Sequence, residues 1–322
     1  MSAGSLSGVE ALRSHWPEYL IEAWALGTFM ISAGVFATLL EYPNSPLHRV
    51  LTDPGLRRVL AGVAMGLTAI AIIYSPWGKR SGAHMNPAVT LSFLSLGKVR
   101  GWDAAYFIAA QFAGGTIGVL LVLALFGSTF SAPPVSYAVT VPGPAGVPAA
   151  FAAELGISAA LMFTILLVSG SARTAPFTGL VAGGLVATYI SLEAPLSGMS
   201  MNPARTFASA APGLMWQDMW IYFTAPTAGM VGAAQLYRLA RCPLACAKLI
   251  HPSHVRCIHC GAGPSAPQAG TGSRSAAFRS GSGSAIGFLL LCLFSAAVTP
   301  SGAHPSCAAV ASLRETPTAT RT

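Results

Sequence analysis

Residues 81–90 read SGAHMNPAVT, and residues 197–207 read SGMSMNPARTF. Both stretches contain the pattern S-G-x-x-M-N-P-A, so six positions are identical in the two copies. A single Asn-Pro pair is an ordinary turn signal. Two copies of the longer pattern indicate that the chain contains an internal repeat, with a corresponding loop in each half.

Composition places this repeat in a membrane protein. The 322 residues are 53% hydrophobic and only 9% charged, with a mean hydropathy of +0.60, whereas soluble domains carry roughly 25% charged residues. The net charge of +8 lies in short runs between long uncharged stretches. This placement is typical of membrane-protein loops and argues against a nucleic-acid partner. Six cysteines are too few for a disulfide scaffold.

Six apolar stretches are long enough, or nearly so, to cross a bilayer, which takes about 20 residues. They cover residues 19–40, 59–77, 104–126, 149–168, 176–192 and 219–236. Each copy of the repeated pattern follows the second span of a group of three, so the two halves must have opposite orientations in the membrane. Three spans contain a Gly-xxx-Gly step that favours close helix packing: Gly62 with Gly66, Gly114 with Gly118, and Gly179 with Gly183.

The two repeated segments are too short to span, and each is interrupted by Asn-Pro. Asn is a preferred N-cap, and Pro suits the first helical position. Short half-helices are therefore predicted to start at Asn86-Pro87-Ala88 and Asn202-Pro203-Ala204 and to end near residues 96 and 211. The predicted fold is an all-α membrane protein with six transmembrane helices and two re-entrant half-helices, which meet cap to cap near the membrane midplane.

Non-helical backbone at that depth is tolerated only where it is buried in protein or lines a watery cavity, so the pattern predicts a pore. Two helix N-termini, each equivalent to roughly half a positive charge, would repel cations and hydronium there. The amides of Asn86 and Asn202 could both donate to one central water, which would interrupt a proton wire. Arg205, where the first copy has Val89, is a costly intramembrane charge and predicts a functional position; a snorkelling arginine is the alternative.

These residues resemble the signature loops of the aquaporin and aquaglyceroporin family, the major intrinsic proteins. The resemblance covers about residues 18–240 and extends to Glu22, Gln111 and Glu154. It implies a pore in every protomer, a homotetramer, and a passive channel for water and small uncharged solutes that excludes protons and ions. It also implies that Glu22 and Glu154 accept backbone hydrogen bonds from the re-entrant loops and that His84 packs a loop. A proton-relay role for the two carboxylates is the alternative.

By the same resemblance, the residues that select the solute are Met65 or Gly66, Ile190, Met199 and Arg205. Water-selective members usually carry an aromatic residue and a histidine at the first two of these positions. Glycerol-conducting members usually carry Asp directly after the arginine, where this chain has Thr206. The chain therefore departs from both patterns. Water is the leading expected solute, and a glycerol or small-solute facilitator is the alternative.

An even number of spans puts both termini on one side of the membrane. If that side is the cytoplasm, its loops and proximal tail carry ten Lys and Arg, against three in the opposite loops, as the positive-inside rule expects. The expected location is the plasma or inner cell membrane, with residues 1–17 as an N-terminal cytoplasmic segment and residues 18–240 as the channel domain.

Residues 241–263 form a Cys/His-rich segment that is expected to be cytoplasmic and reduced. Its spacing supplies four candidate zinc ligands in a combination that zinc prefers: Cys246, His251, Cys257 and Cys260. Unused or palmitoylated cysteines are the alternatives, and no other cofactor is expected. Residues 264–322 are expected to be a disordered low-complexity tail, with one apolar stretch at 285–298 that is too short to span alone.

Three other functions stay open. A secondary transporter with inverted repeats would need embedded acidic groups, for which Glu22 and Glu154 are the candidates. An intramembrane enzyme would need a catalytic constellation that the spans lack. A metal-responsive gate would act through residues 241–322.

Overall fold

The computed structural model describes residues 6–171, 173–242, 244, 246–248, 250–252 and 255–263. The prediction of a disordered tail at 264–322, with its apolar stretch at 285–298, lies outside the described residues. The described part of the chain is helical almost throughout and contains no strand, which confirms the all-α prediction.

The first half of the chain contains seven helices: α1 (Gly8–Glu41), α2 (Pro46–Val50), α3 (Pro54–Tyr74), α4 (Pro76–Ser81), α5 (Pro87–Ser95), α6 (Gly101–Phe126) and α7 (Ser128–Ser131). The second half contains α8 (Gly146–Ser169), α9 (Thr178–Leu192), α10 (Ala194–Ser197), α11 (Pro203–Ala210) and α12 (Met219–Leu239). In the described part of the chain, five helical segments are apolar and long enough to span a membrane: α1, α3, α6, α8 and Ala175–Leu192, which includes α9. The sixth predicted span is α12, whose 21 residues reach about 32 Å at 1.5 Å per residue.

Helix α1 begins earlier than the predicted first span. The Ser7 hydroxyl accepts the backbone N–H of Glu10, and the Glu10 carboxylate accepts the backbone N–H of Ser7. This reciprocal capping box satisfies two unpaired donors at a helix start. The helix therefore begins at Gly8, within the segment expected as residues 1–17, and continues through Pro17.

The second predicted span is shifted toward the N-terminus. The Asp53 carboxylate accepts the N–H of Gly55 and fixes the start of α3 at Pro54. The helix ends at Tyr74 rather than at residue 77. The cause lies in Ser75, which caps the separate short helix α4.

The long helices pack in pairs: α1 along α6 in the first half, α8 along α12 in the second half, and α3 along α9 between the halves. A Cβ atom built on Gly66 would lie 2.6 Å from the carbonyl oxygen of Gly183, and one on Gly27 would lie 2.9 Å from that of Gly114. Only glycine permits such backbone approaches. All three of the predicted Gly-xxx-Gly steps therefore lie in these helix contacts.

The half-helices α5 and α11 lie at the centre of the bundle, and each ends one residue before the predicted end. Helix α5 packs mainly on α12, the last span of the second half, and α11 packs mainly on α6, the last span of the first half. The two halves therefore interlock, and the N-termini of α5 and α11 are brought together.

Candidate functional site

Each half-helix is capped by its asparagine. The Asn86 side-chain oxygen accepts the N–H of Ala88 at 2.9 Å. The Asn202 oxygen accepts the N–H groups of Ala204 and Arg205 at 3.1 and 3.2 Å. The proline that follows each asparagine occupies the first helical position, where an N–H would have no partner in any case.

The two capping amides are also bonded across the junction between the halves. Asn86 Nδ2 donates to the carbonyl oxygen of Met201 at 2.7 Å, and Asn202 Nδ2 donates to that of Met85 at 2.7 Å. Each amide has two N–H groups, so one of them remains for a molecule in the pore. The sequence predicted the meeting of the two caps but not this reciprocal bonding.

The first re-entrant loop is fixed by Glu22, which is fully buried in α1. Its carboxylate accepts the Ser81 hydroxyl at 2.8 Å, the N–H of His84 at 3.0 Å and the N–H of Met85 at 2.8 Å. Gln111 Nε2 donates a fourth bond at 2.9 Å. The loop N–H groups that no helix satisfies thus bind a carboxylate inside the protein.

The second loop repeats this arrangement around Glu154, which is fully buried in α8. Its carboxylate accepts the Ser197 hydroxyl at 2.8 Å and the N–H groups of Ser200 and Met201 at 2.6 and 2.7 Å. Three corresponding donors bind each carboxylate, so the repeat seen in the sequence is also a repeat of geometry.

His84 connects the first loop to two other parts of the chain. Its Nδ1 lies 3.1 Å from the Thr90 hydroxyl, and its Nε2 lies 3.1 Å from the carbonyl oxygen of Ala247. A carbonyl can only accept, so Nε2 is the donor in the second contact. The imidazole ring also stacks on Phe93 at 5.1 Å.

Both loops contain strained backbone at matching positions. Ala83 and Met85 have φ angles of 49° and 51°, and Met199 and Met201 have 52° and 53°. Left-handed backbone costs a non-glycine residue of order 1–3 kcal/mol, and it accumulates at functional sites. The carbonyl groups of Met85 and Met201 are the ones that the capping amides bind.

A cavity of about 280 Å³ runs past the paired caps and has mostly apolar walls. We call its two ends the Arg205 end and the Ala247 end, after residues that line them. The predicted selectivity residues that line the cavity are Met65, Ile190, Met199 and Arg205. Gly66, the alternative to Met65, instead packs against α9.

The Arg205 guanidinium has one hydrogen bond within the described residues. Its Nη1 donates to the Ser209 hydroxyl at 3.5 Å, on the same helix. No backbone carbonyl among the described residues accepts a hydrogen bond from this guanidinium. Most of its five N–H donors thus remain for molecules in the cavity.

Sequence reasoning missed part of the lining. Leu161 in α8 and Val186 in α9 line the cavity wall, and Ala247, beyond the last span, lines one end. The first two belong to uniformly apolar helices, so no periodicity marked their inward face. Ala247 lies 163 residues from its partner His84, and no local pattern reports such a contact.

The candidate zinc ligands lie beside the Ala247 end and are brought together in space. The ligand atoms of all four lie within 4.8 Å of one another. We call this group the Cys/His cluster: Cys246, His251, Cys257 and Cys260. Two of its members are buried and two are exposed.

Residues 12–237 match the family model described as Major intrinsic protein. The chain belongs to the major intrinsic protein family. It is therefore a membrane channel for water and small neutral solutes and not an enzyme, and channel function in this family needs no cofactor.

Similar proteins of known name support this membership. Over 225 residues the chain is 34% identical to Aquaporin NIP1-2 of Oryza sativa subsp. japonica, which covers 69% of this chain and 71% of the relative. It is 32% identical over 224 residues to Aquaporin NIP1-2 of Arabidopsis thaliana, covering 68% and 73%.

A solved structure shares the fold. The aquaglyceroporin from Plasmodium falciparum superposes with a TM-score of 0.57 at 22% identity, covering 70% of this chain and 96% of that one. The major intrinsic protein fold of six spans and two half-helices, expected from the repeat, is thereby confirmed.

Proposed function

We propose that the pore conducts water and small uncharged solutes passively and excludes protons and ions. One observation carries this proposal. The caps Asn86 and Asn202 meet at the junction of two half-helix N-termini, and each is held by a carbonyl of the opposite loop at 2.7 Å. Two hydrogen-bond donors are thus held at fixed positions inside a mostly apolar cavity.

The proposed exclusion of protons follows from the remaining N–H of each amide. A water at the junction would accept a hydrogen bond from Asn86 and one from Asn202 through its oxygen. Its own hydrogens would then point away toward the two ends of the pore, so no proton could pass along a continuous chain. The N-terminal ends of α5 and α11 add a positive potential that opposes cations.

The proposed selectivity region consists of one charged group and an apolar wall. Arg205 offers donors to a passing hydroxyl or carbonyl, while Met65, Met199 and Ile190 form the surrounding surface. Methionine is flexible and adapts to different shapes. This wall favours a second candidate, a glycerol or small-solute facilitator with little preference for water.

An ion-coupled transporter is the less favoured reading. Coupling needs a carboxylate that can change its charge, whereas Glu22 and Glu154 are fully buried and receive several hydrogen bonds each. Such bonds occupy the carboxylate oxygens of both residues. These contacts support a structural role for both residues, and for His84 as a loop-packing residue.

We further propose that the protein is a homotetramer in the plasma or inner membrane, with both termini in the cytoplasm. The family resemblance supports the assembly, and the excess of Lys and Arg in one set of loops supports the orientation.

Stopped-flow light scattering on vesicles containing the full chain tests the proposal. Osmotic shrinkage measures water permeability, reswelling in glycerol or urea measures solute entry, and an enclosed pH dye measures proton flux. We expect water and at least one neutral solute to permeate faster than in empty vesicles, with proton flux unchanged. Proton flux that rises with water flux would overturn the proposal.

A further inference from the structure

The chain beyond α12 returns to one end of the pore. Ala247 is 1% exposed, its carbonyl oxygen accepts from His84 Nε2 at 3.1 Å, and it lines the cavity. A Cβ atom built on Gly82 would lie 3.4 Å from the same oxygen. The imidazole ring of His259 stacks parallel to that of His84 at 6.0 Å. Ala247 and His259 thus both contact His84 in the first re-entrant loop, and Ala247 lines the cavity at that end.

The Cys/His cluster has the dimensions of a tetrahedral zinc site. The sulfurs of Cys246 and Cys257 are 3.7 Å apart, and Cys260 Sγ lies 3.2 Å from His251 Nε2. Zinc bonds to sulfur and nitrogen predict ligand separations of about 3.8 Å for S···S and about 3.6 Å for S···N. The S···S distance falls close to its expected value, and the S···N distance is about 0.4 Å shorter than expected. The three cysteines are free thiols rather than disulfides.

The backbone around two of these ligands is folded into a tight turn. The N–H of Cys257 donates to the carbonyl of Ala262 at 2.7 Å, and the N–H of Gly261 donates to the carbonyl of Cys257 at 2.9 Å. Gly261 has a φ of 77°, which favours glycine. This turn places Cys257 and Cys260 on the same side, before any ion binds.

Lys248 supplies the matching charge. It is 3% exposed, and its ammonium has no hydrogen-bond acceptor among the described residues. It lies close enough to Glu18 and to the three cysteines of the Cys/His cluster to interact with them electrostatically. Three thiolates and one Zn²⁺ would carry a net charge of −1, so a zinc centre would add a second negative partner for this buried cation.

We propose that the Cys/His cluster binds one Zn²⁺ and that this ion holds residues 246–260 across the Ala247 end of the pore, so that the zinc-bound protein is closed there. Zinc loss releases the segment, because its remaining contacts with the bundle are few, and the pore opens. The gating part rests on the channel function proposed above, and the zinc-binding part does not.

Metal content tests the binding part. The full chain is purified in detergent, incubated with zinc sulfate and desalted, and zinc per chain is measured by mass spectrometry. We expect one zinc per chain, lost in Cys257→Ser and His251→Ala and kept in the control Cys307→Ser. Because His251 and Cys260 are exposed, His251→Ala and Cys260→Ser spare the bundle, and gel filtration checks their fold. Zinc that is absent, or unchanged in these variants, would overturn the proposal.

Water permeability tests the gating part, in the vesicles used for the stopped-flow experiment above. A membrane-permeant zinc chelator should raise the water permeability of the wild type and leave Cys260→Ser, already open, unchanged. Permeability that stays constant while zinc is lost would overturn the gate. If neither the wild type nor Cys260→Ser conducts any neutral solute, the proposed channel function fails instead, while the zinc measurement stands on its own.

Discussion

The side-chain amide of Asn86 donates to the backbone carbonyl of Met201 at 2.7 Å, and the amide of Asn202 donates to that of Met85 at the same distance. These bonds join residues 115 and 117 positions apart in the chain. Each half-helix is thus held in place by the loop that leads into the other. Movement of either cap would break both contacts.

Replacing Asn202 by Asp should compromise the exclusion of protons and cations. The carboxylate cannot donate to the Met85 carbonyl, and its charge opposes the positive potential of the two N-termini. We expect water permeability to fall and a cation or proton leak to appear, measured with the enclosed pH dye and stopped-flow scattering. Asn44→Asp, at an exposed loop position, is the control. Proton and cation fluxes that stay as low in Asn202→Asp as in wild type would contradict the proposed role of the two capping asparagines.

Replacing Glu154 by Gln should destabilise the protein. An amide keeps one acceptor oxygen but turns its NH₂ toward the N–H of Ser200 or Met201. A buried donor without an acceptor costs about 1–3 kcal/mol, so we expect a lower Tm in detergent. Glu41→Gln removes the charge from a partly buried ion pair with Arg57 but keeps an acceptor oxygen, and serves as control. Equal Tm values for the two variants would argue against the role of Glu154 in holding the second re-entrant loop.

Gly183→Leu should separate α3 from α9. Its Cβ would lie 2.6 Å from the Gly66 carbonyl oxygen, and overpacking of this kind costs about 1–3 kcal/mol. The neighbouring Gly184 has no heavy atom within 4 Å of a built Cβ, so Gly184→Leu is a matched control. We expect a loss of folded yield only at position 183, measured by size-exclusion chromatography.

Arg205→Val should weaken discrimination between solutes. The change removes the guanidinium from the proposed filter and widens the opening. We expect entry of glycerol and urea to rise relative to water, in the reswelling experiment described above. Arg49→Val, on the exposed helix α2, should leave the ranking unchanged. An unaltered ranking in Arg205→Val would show that selection occurs elsewhere.

Glu193 should make stability depend on pH. It follows the last residue of α9 and is 8% exposed. Burial, with a smaller contribution from the charge of Glu154, outweighs the lowering effect of the Ser197 hydroxyl and raises the pKa of Glu193 to about 7. The folded protein therefore holds this proton more tightly than the unfolded chain does.

The sign follows from that difference. The contribution of Glu193 is fully present below its ordinary pKa of 4.5 and is lost as the pH rises through about 7. We expect a lower Tm at pH 8 than at pH 5, with a smaller difference in Glu193→Gln than in wild type or Glu41→Gln. An identical pH dependence in all three proteins would rule this out.

Local chemistry determined what could be predicted from the sequence. The caps at Asn86 and Asn202 and the start of each half-helix follow from side chains within three residues, and the repeat supplies the topology. The length of α1 was underestimated because a polar extension on a spanning helix has no hydropathy signal. The roles of Ala247 and Glu193 could not be predicted, because they depend on how distant residues pack around them.

Glu22 precedes its loop partner Ser81 by 59 residues, and Glu154 precedes Ser197 by 43. Because synthesis proceeds from the N-terminus, each carboxylate is already in the membrane when the loop that needs it leaves the ribosome. Each re-entrant loop is therefore synthesised after the carboxylate that accepts its hydrogen bonds. Insertion of the two re-entrant loops can thus follow the order of translation, with an acceptor already synthesised for their backbone N–H groups.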